Sequence, residues 1–379
     1  MFSGKNLFVQ LTATFALSLV ALLGCSSEEP RSTEVGVILP LTGAMAAGGN
    51  RVLQGIQVEV NHYNDTASQK ISLKVEDSQG DPKVGVTALN HILNATRAKV
   101  VIGDLLSGVT LSMAPIAEQE QIVIVAPGAS SPSIRHAGDY IFRIWTSDDY
   151  DGKVSAHYMF REMGLKSAAV LYIQNDYGIG LKSAFAEEYS NLGGKITDME
   201  SFQEGETQFR SIVAKLTQKV PEGIYIAGQP QELGFLIRQM SEAGVSTKVF
   251  SNASIEDAGF RTTVGGVNAT ITYTTPMFNL DDTSKVVREF VSDYTSEVGE
   301  APDVASAHGY DAARVVLKCL NSKGNSGGRI RDCLYAIRDF PGVTGTFSID
   351  QDGDVVKGLI VKRLDCASGR AEVLSTYNP

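Results

Sequence analysis

Two stretches of the chain place glycine and short hydroxyl residues directly after an apolar run. Residues 101–115 read VIGDLLSGVTLSMAP, and residues 121–133 read QIVIVAPGASSPS. Such segments offer hydroxyls and backbone N–H groups with little side-chain bulk, which suits a carboxylate. Ser107 stands just before a helix predicted to begin near Val109 or Thr110, at the positive end of its dipole. Gly128 lets backbone approach a ligand closely, and Ser130 adds a second hydroxyl. Each hydrogen bond to a charged group contributes about 1.5–3 kcal/mol. Three or four of them offset much of the cost of desolvating one carboxylate. The same residues also satisfy ordinary turn chemistry, because Ser, Gly and Pro dominate turns whatever their function.

Marks of catalysis are absent. GASSP lacks the second glycine of a G-x-S-x-G elbow, and neither G-x-x-x-x-G-K-[ST] nor H-E-x-x-H occurs. YGIGLKS holds two of the three glycines of a dinucleotide fingerprint. The histidines, at 62, 91, 136, 157 and 308, lack metal-ligand spacing. Asp350, Asp352 and Asp354 fail the calcium-loop pattern, which needs glycine sixth and glutamate twelfth where this chain has Val355 and Val361. Asp-Gly between two alternating runs reads instead as a hairpin. No enzyme activity, cofactor or metal is expected.

The elements that would position these residues alternate. Strand-like runs at Val35–Leu39, Ile71–Val75, Val100–Ile102 and Ile122–Val125 are separated by helical stretches. Val52, Ile56, Val60 and Tyr63 share one helix face, and Asp81-Pro82 is a cap followed by proline at the first helical position. The alternation resumes at Ala168–Tyr172, Ile196–Phe202, Gly223–Ala227, Val249–Ser251 and Ala269–Thr274. Helices are predicted at Thr283–Val298, Val304–Leu320 and Arg329–Phe340, then strands at Gly345–Ile349 and Val355–Leu364. Strands alternating with helices imply parallel sheets built from crossover units. There are two such series, split near Arg143–Gly152. In open sheets of this kind ligands bind beyond the carboxyl ends of the strands.

The chain has 379 residues, is 43% hydrophobic and carries a formal charge of −10. Its acidity and lack of a basic cluster exclude a typical nucleic-acid binder. Lys5, an apolar stretch from Leu7 to Leu23 and then Leu22-Leu23-Gly24-Cys25 have the grammar of a secretory signal over residues 1–24. The polar segment SSEEPRST then suits a tether, 25–33. Export permits a disulfide. Cys319 and Cys333 flank a Gly/Asn/Ser-rich loop and are a possible pair, although connectivity does not follow from sequence.

L-L-G-C resembles the lipobox of bacterial lipoproteins, which makes Cys25 the lipid-attachment residue. The rest resembles the type I periplasmic substrate-binding proteins of branched-chain amino acid ABC transporters. The likeness is carried in order by EVGVILPLTGAMAAGGNRVLQG, EDSQGDPKVGV, VIGDLLSGVTLSMAP, IVAPGASSPSI, FRIWTSDDYDG, VLYIQNDYGIG, FQEGETQFRSIVAKL, HGYDAARVV and TGTFSIDQDGDVVKG. QNDYGIG and GETQF are its most characteristic pieces.

The resemblance implies an α/β fold of two lobes, each a mostly parallel sheet flanked by helices, joined by a three-strand hinge. Lobe 1 would comprise 34–147 plus 277–343, and lobe 2 148–276 plus 344–379. Ser107, Gly128 and Ser130 would grip a carboxylate in the cleft. Tyr177 would close from the second lobe, and Gln229 would stand where leucine-type binders place tyrosine. Ser254 would occupy the position of a glutamate that holds the ligand's ammonium, with Glu256 and Asp257 slightly beyond. That departure favours an organic acid or modified amino acid over a leucine-like one. Leucine-type binders also carry a disulfide at the segments of Ser78 and Leu106, which is missing here. The expected role is an extracytoplasmic, lipid-anchored receptor on the bacterial envelope. It would close on a small carboxylate ligand and deliver it to an ABC permease. A receptor of the same fold that signals instead of transporting is the alternative.

Overall fold

The computed structural model describes residues 32–323 and 326–378. The leader, Cys25 and most of the tether lie outside these residues. The first sheet contains β1 (Thr33–Leu39), β2 (Ile71–Asp77), β3 (Val100–Gly103), β4 (Val123–Ala126) and β5 (Ile141–Arg143), in the order β2-β1-β3-β4-β5. All its pairings are parallel. Helices α1 (Ala46–Thr66), α2 (Pro82–Ala95) and α3 (Ser107–Glu120) connect them. Both faces of this sheet are covered: Val100 and Ile102 pack into one core, and Val101 between them packs into the other. Strands buried on both faces read as continuous apolar runs, which is how they stood out in the sequence.

The chain then crosses to the second sheet, through Ile144–Ser147. This sheet contains β6 (Ser167–Ile173), β7 (Lys195–Phe202), β8 (Gly223–Ala227), β9 (Lys248–Ser251) and β10 (Thr270–Pro276). Its helices are α4 (Asp148–His157), α5 (Asp176–Asn191), α6 (Arg210–Gln218), α7 (Pro230–Glu242) and α8 (Ala258–Val264). Caps match the local sequence: Asp81 accepts from the Lys83 and Val84 N–H groups at α2, Ser147 from Asp149 at α4, and Asn175 from Gly178 at α5.

After β10 the chain returns to the first half through α9 (Lys285–Val298), α10 (Val304–Lys323) and α11 (Gly327–Tyr335). Cys319 and Cys333 are joined by a disulfide, with Cα atoms 5.6 Å apart. A small antiparallel sheet follows, from β11 (Phe340–Gly342), β12 (Gly345–Ile349) and β13 (Val355–Val356). The third crossing, Lys357-Gly358, leads to β14 (Leu359–Asp365) and β15 (Arg370–Tyr377), antiparallel on the edge beside β10. The result is an α/β molecule of two mostly parallel sheets flanked by helices.

Four expectations need correction. The helix expected over Arg329–Phe340 ends at Tyr335, and Phe340 opens β11. The strand expected over Val355–Leu364 is two strands in different sheets, broken at the crossing. Phe347, Ile349 and Val355 pack in the first core, so residues 345–356 belong with the first half and not, as the boundary at 344 implied, with the second. Helix α3 starts at Ser107, earlier than Val109.

The crossings hold buried polar groups. Lys357 donates from Nζ to Thr344 Oγ1 at 2.8 Å and lies 2.8 Å from His308 Nε2. Burial pulls its amine down to about 7. The His308 ring lies 4.3 Å, centroid to centroid, from Trp145 on the first crossing.

Candidate ligand-binding cleft

The carboxyl ends of the parallel strands in both sheets face one cleft of about 120 Å³. A water needs roughly 10–15 Å³ on this measure, so the space suits a ligand of about ten non-hydrogen atoms. Ser107 follows β3, Gly128 and Ser130 follow β4, Tyr177 follows β6, Gln229 follows β8 and Ser254 follows β9. All six line this cleft. The spatial convergence follows from topology: each loop leaves its strand at the same end of a parallel sheet.

The wall from the first half is built tightly. Ser107 is the first residue of α3, whose start has no side-chain cap. Its Oγ accepts from the backbone N–H groups of Ser130 and Ser131, at 3.2 and 3.1 Å. These two N–H groups are therefore already bonded within the protein, a correction to the idea that the loop holds them out for a ligand. What Ser107 retains for a ligand is its hydroxyl proton. Gly128 is also explained differently. A Cβ there would lie 2.2 Å from Leu105 Cδ1, so the glycine admits the leucine that lines the cleft.

Behind this wall stands Arg143, fully buried. Its Nη1 donates to the carbonyls of Ser130 and Ser131 at 2.7 and 2.8 Å. Its Nε and Nη2 donate to Asp354 at 2.7 and 2.6 Å, a two-point charged pair. Residues 130–131 are thus held by their N–H groups from one side and by their carbonyls from the other. Asp354 belongs to the turn between β12 and β13, so the expected hairpin also supplies Arg143's counter-ion. Ser78 and Leu106, where leucine-type binders carry a disulfide, are linked here through buried Asp104. Ser78 Oγ donates to its Oδ2 at 2.6 Å and the Leu106 N–H to its Oδ1 at 2.8 Å.

The wall from the second half is acidic. Asp148 and Asp151, in the first turn of α4, both line the cleft and are 2% and 5% exposed. Asp151 Oδ1 accepts from Thr274 Oγ1 at 2.5 Å and Ser155 Oγ at 3.1 Å. Asp148 Oδ2 has no hydrogen-bond partner. Burial pushes the Asp148 carboxyl well above the usual range and the neighbouring Asp151 adds to it, while Arg143 and the Ser130 hydroxyl oppose the shift. Burial also pushes Asp151 up to about 6, against the hydroxyls of Thr274 and Ser155.

These two carboxylates were missed in the sequence. The available signal was the run SDDYDG after an arginine, but a helix N-terminus attracts acidic residues anyway, and burial does not show in the letters. The groups the sequence offered in their place are occupied. Glu256 pairs with Lys362 Nζ at 2.7 Å and accepts from the Tyr273 hydroxyl at 3.0 Å. Asp257 caps α8 through the Gly259 N–H at 2.6 Å. Among the described residues the lining contains Asp148, Asp151, Glu256, Asp257 and Asp303, but no Lys, Arg or His.

A family model described as periplasmic binding protein matches residues 32–370. The Leu/Ile/Val-binding protein homolog 1 of Brucella suis is 27% identical over 345 residues, covering 89% of this chain and 91% of that protein. Among solved structures, the leucine-binding protein of Thermotoga maritima aligns with a TM-score of 0.86 and 24% identity, over 92% of this chain and 99% of that one. An ABC-transporter solute-binding protein from R. palustris, in complex with benzoate, aligns with a TM-score of 0.83 and 19% identity, over 92% and 97%. These two likenesses are likenesses of fold.

Proposed function

The chain belongs to the periplasmic binding protein family, and from that premise we propose that it is a lipid-anchored solute receptor of an ABC importer. Its ligand is a small molecule with a carboxylate at one end and a cationic group beside it, an amino acid or a close relative. The observation that carries this reading is the polarity of the cleft. An uncapped helix start and the Ser107 hydroxyl stand on one wall, a buried carboxylate with one unpartnered oxygen, Asp148 Oδ2, on the other, and no basic side chain lines the cleft.

An ammonium-free organic acid, the ligand that Ser254 alone suggested, would leave its charge facing Asp148 and Asp151. An unpaired buried charge is costly, whereas an ammonium against Asp148 satisfies both partners. Met45, Leu105, Leu106 and Trp145 would receive the apolar remainder. Because the walls come from different halves, a ligand that touches both favours the closed arrangement by its differential affinity for it. The permease would then read the closed shape, with Cys25 keeping the receptor at the membrane.

Calorimetry with L-leucine beside its deaminated keto acid tests the ligand chemistry. Leucine should bind the tighter of the two, and Ser107→Ala should weaken it. Equal affinities, or a tighter keto acid, would refute the amine contact. A spheroplast fraction lacking the protein's lipid modification at Cys25 would refute the anchor.

A further inference from the structure

We propose that Asp148 and Asp151 share a proton while the cleft is empty and release it when the cationic group of the ligand docks against Asp148. Ligand binding is then coupled to proton loss and tightens as pH rises. The inference rests on the amine-bearing ligand argued above and adds to it a regulation of the same site.

The geometry is that of two carboxylates one helical turn apart, both inside the protein. Asp151 is held as an acceptor by two hydroxyls, Thr274 from β10 and Ser155 from α4. Asp148 has one oxygen with no partner, on the cleft wall. Two like charges one helical turn apart and buried do not both ionise readily, and Asp151 raises the Asp148 carboxyl, so an empty site is most stable with one proton held by the pair. A cation changes that balance. It supplies the missing partner to Asp148 Oδ2 and the opposite charge that lets both carboxylates stay ionised.

The surrounding groups leave this pair to its own devices. From the end of β5 Arg143 faces Asp148, but its guanidinium is already engaged by Asp354 and by two carbonyls. On α4 itself, Asp149 lies toward Arg135 at 4.0 Å, and the start of the helix favours the ionised form. Tyr177 from α5 and Tyr225 from β8 lie near both carboxylates, and burial raises both phenols, which remain neutral. The Tyr225 hydroxyl has no partner. Ser130 adjoins Asp148: its carbonyl accepts from the Asp148 N–H at 2.9 Å, and its hydroxyl favours the ionised carboxyl. Further along the lining, Glu256 is matched by Lys362, and Asp257 and Asp303 add negative charge. No cation within the cleft performs the ligand's task in advance.

The proton balance is simple. The protonated pair and a cationic ligand enter, the doubly ionised pair and the bound cation remain, and one proton passes to solvent. For one proton released, affinity changes by up to tenfold per pH unit wherever the empty pair is still protonated. Burial raises both carboxyls, Asp151 to about 6 and Asp148 well above its usual range, so the dependence extends over the pH range in which the empty pair still holds its proton.

The experiment begins with a thermal-shift screen of the twenty amino acids, 4-methyl-2-oxopentanoate and benzoate at pH 6 and pH 8.5. The strongest amino acid is then titrated calorimetrically in two buffers at each pH, phosphate and Bis-Tris at pH 6 and borate and Tris at pH 8.5, whose different ionisation enthalpies count the protons exchanged. The expected result is nearly one proton released at pH 6, fewer at pH 8.5, and affinity at least tenfold higher at the upper pH. Asp151→Asn removes the like charge and should flatten both the pH dependence and the proton count. The wild-type titration decides the matter even if that variant fails to fold. An amino acid that binds without proton release, with equal affinity at both pH values, overturns the coupling and leaves the amine-bearing ligand standing. Binding of the keto acid or benzoate alone, or of none of the probes, overturns both.

Discussion

The two walls of the cleft differ in how completely they satisfy themselves. On the first wall every backbone polar group of residues 130–131 is bonded: the N–H groups to Ser107, the carbonyls to Arg143, and Arg143 in turn to Asp354. On the second wall Asp148 Oδ2 is buried without a partner. A wall that is finished before the ligand arrives positions it. A wall that is unfinished gains from it. Strongly perturbed carboxyls in a cleft are what a binding or catalytic site produces when stability is given up for function. The lesson is that the glycine- and serine-rich loop, the more conspicuous feature in the sequence, is the rigid half, and the helix start SDDYDG is the half with unmet demand.

The contrast can be broken most forcefully at Asp354. Asp354→Ala leaves Arg143 buried without a counter-ion, and the expected loss is roughly 3–5 kcal/mol of stability. Chemical denaturation would show it as a lower midpoint at unchanged slope. A variant as stable as the wild type would mean that the first wall is not held by this pair.

The disulfide sharpens the same difference, since Cys319–Cys333 staples the first half and the second half contains only the free, buried Cys366. Replacing both bonded cysteines by serine should cost about 3 kcal/mol for a loop of this length, sequence separation 14. A reductant should reproduce the loss in the wild type and have no effect on the double variant.

Ser107→Ala removes the acceptor of two N–H groups and the hydroxyl donor to the ligand. About 1.5–3 kcal/mol of carboxylate binding should disappear, roughly a tenfold to hundredfold weaker Kd. Unaltered affinity would reduce Ser107 to a loop fastener.

The smallest effect has the opposite sign. A carboxyl held protonated above its unfolded value binds a proton that the unfolded chain has released. That contribution favours the native state at acid pH and is lost as pH rises from about 4 through the folded value. Asp148→Asn, which carries no charge at any pH, should therefore match the wild type near pH 4–5 and be more stable by about 1 kcal/mol at pH 8. Ligand-free melting curves at the two pH values check this. Parallel curves would show that burial of Asp148 places no strain on the fold.

Much of the fold was written in local patterns. Val100–Ile102 and Ile122–Val125 are apolar throughout because both faces of their sheet are covered, and that is visible without a partner strand. Asp81-Pro82 announces α2 because a cap acts over two or three residues. The errors cluster where distant contacts overrule the letters. Val355–Leu364 looks like one strand, yet Val355 pairs with Ile349 while Leu359 pairs with Pro276, and the break at Lys357-Gly358 is dictated by the two sheets. Strand β15 is mostly exposed and has no apolar alternation strong enough to announce it.

The cleft divides the same way. Sequence by itself determined which loops would meet, because parallel strands send their carboxyl-end loops to one side; Ser107, Gly128 and Ser130 stood out at strand ends, and the family resemblance implied Tyr177, Gln229 and Ser254. Only the tertiary structure decided what those loops do. It gave the N–H groups of the 130–131 loop to Ser107 and matched Glu256 with Lys362. It also buried Asp148 and Asp151 where the cation that faces Asp148, Arg143, is already committed to Asp354 and two carbonyls. The physical reason is that a strand end or a cap depends on neighbours within a few residues. The charge state and the unmet hydrogen bond of a carboxyl depend on what surrounds it in space, and those surroundings come from Ser130, Thr274 and Arg143, each contributed by a different segment of the chain.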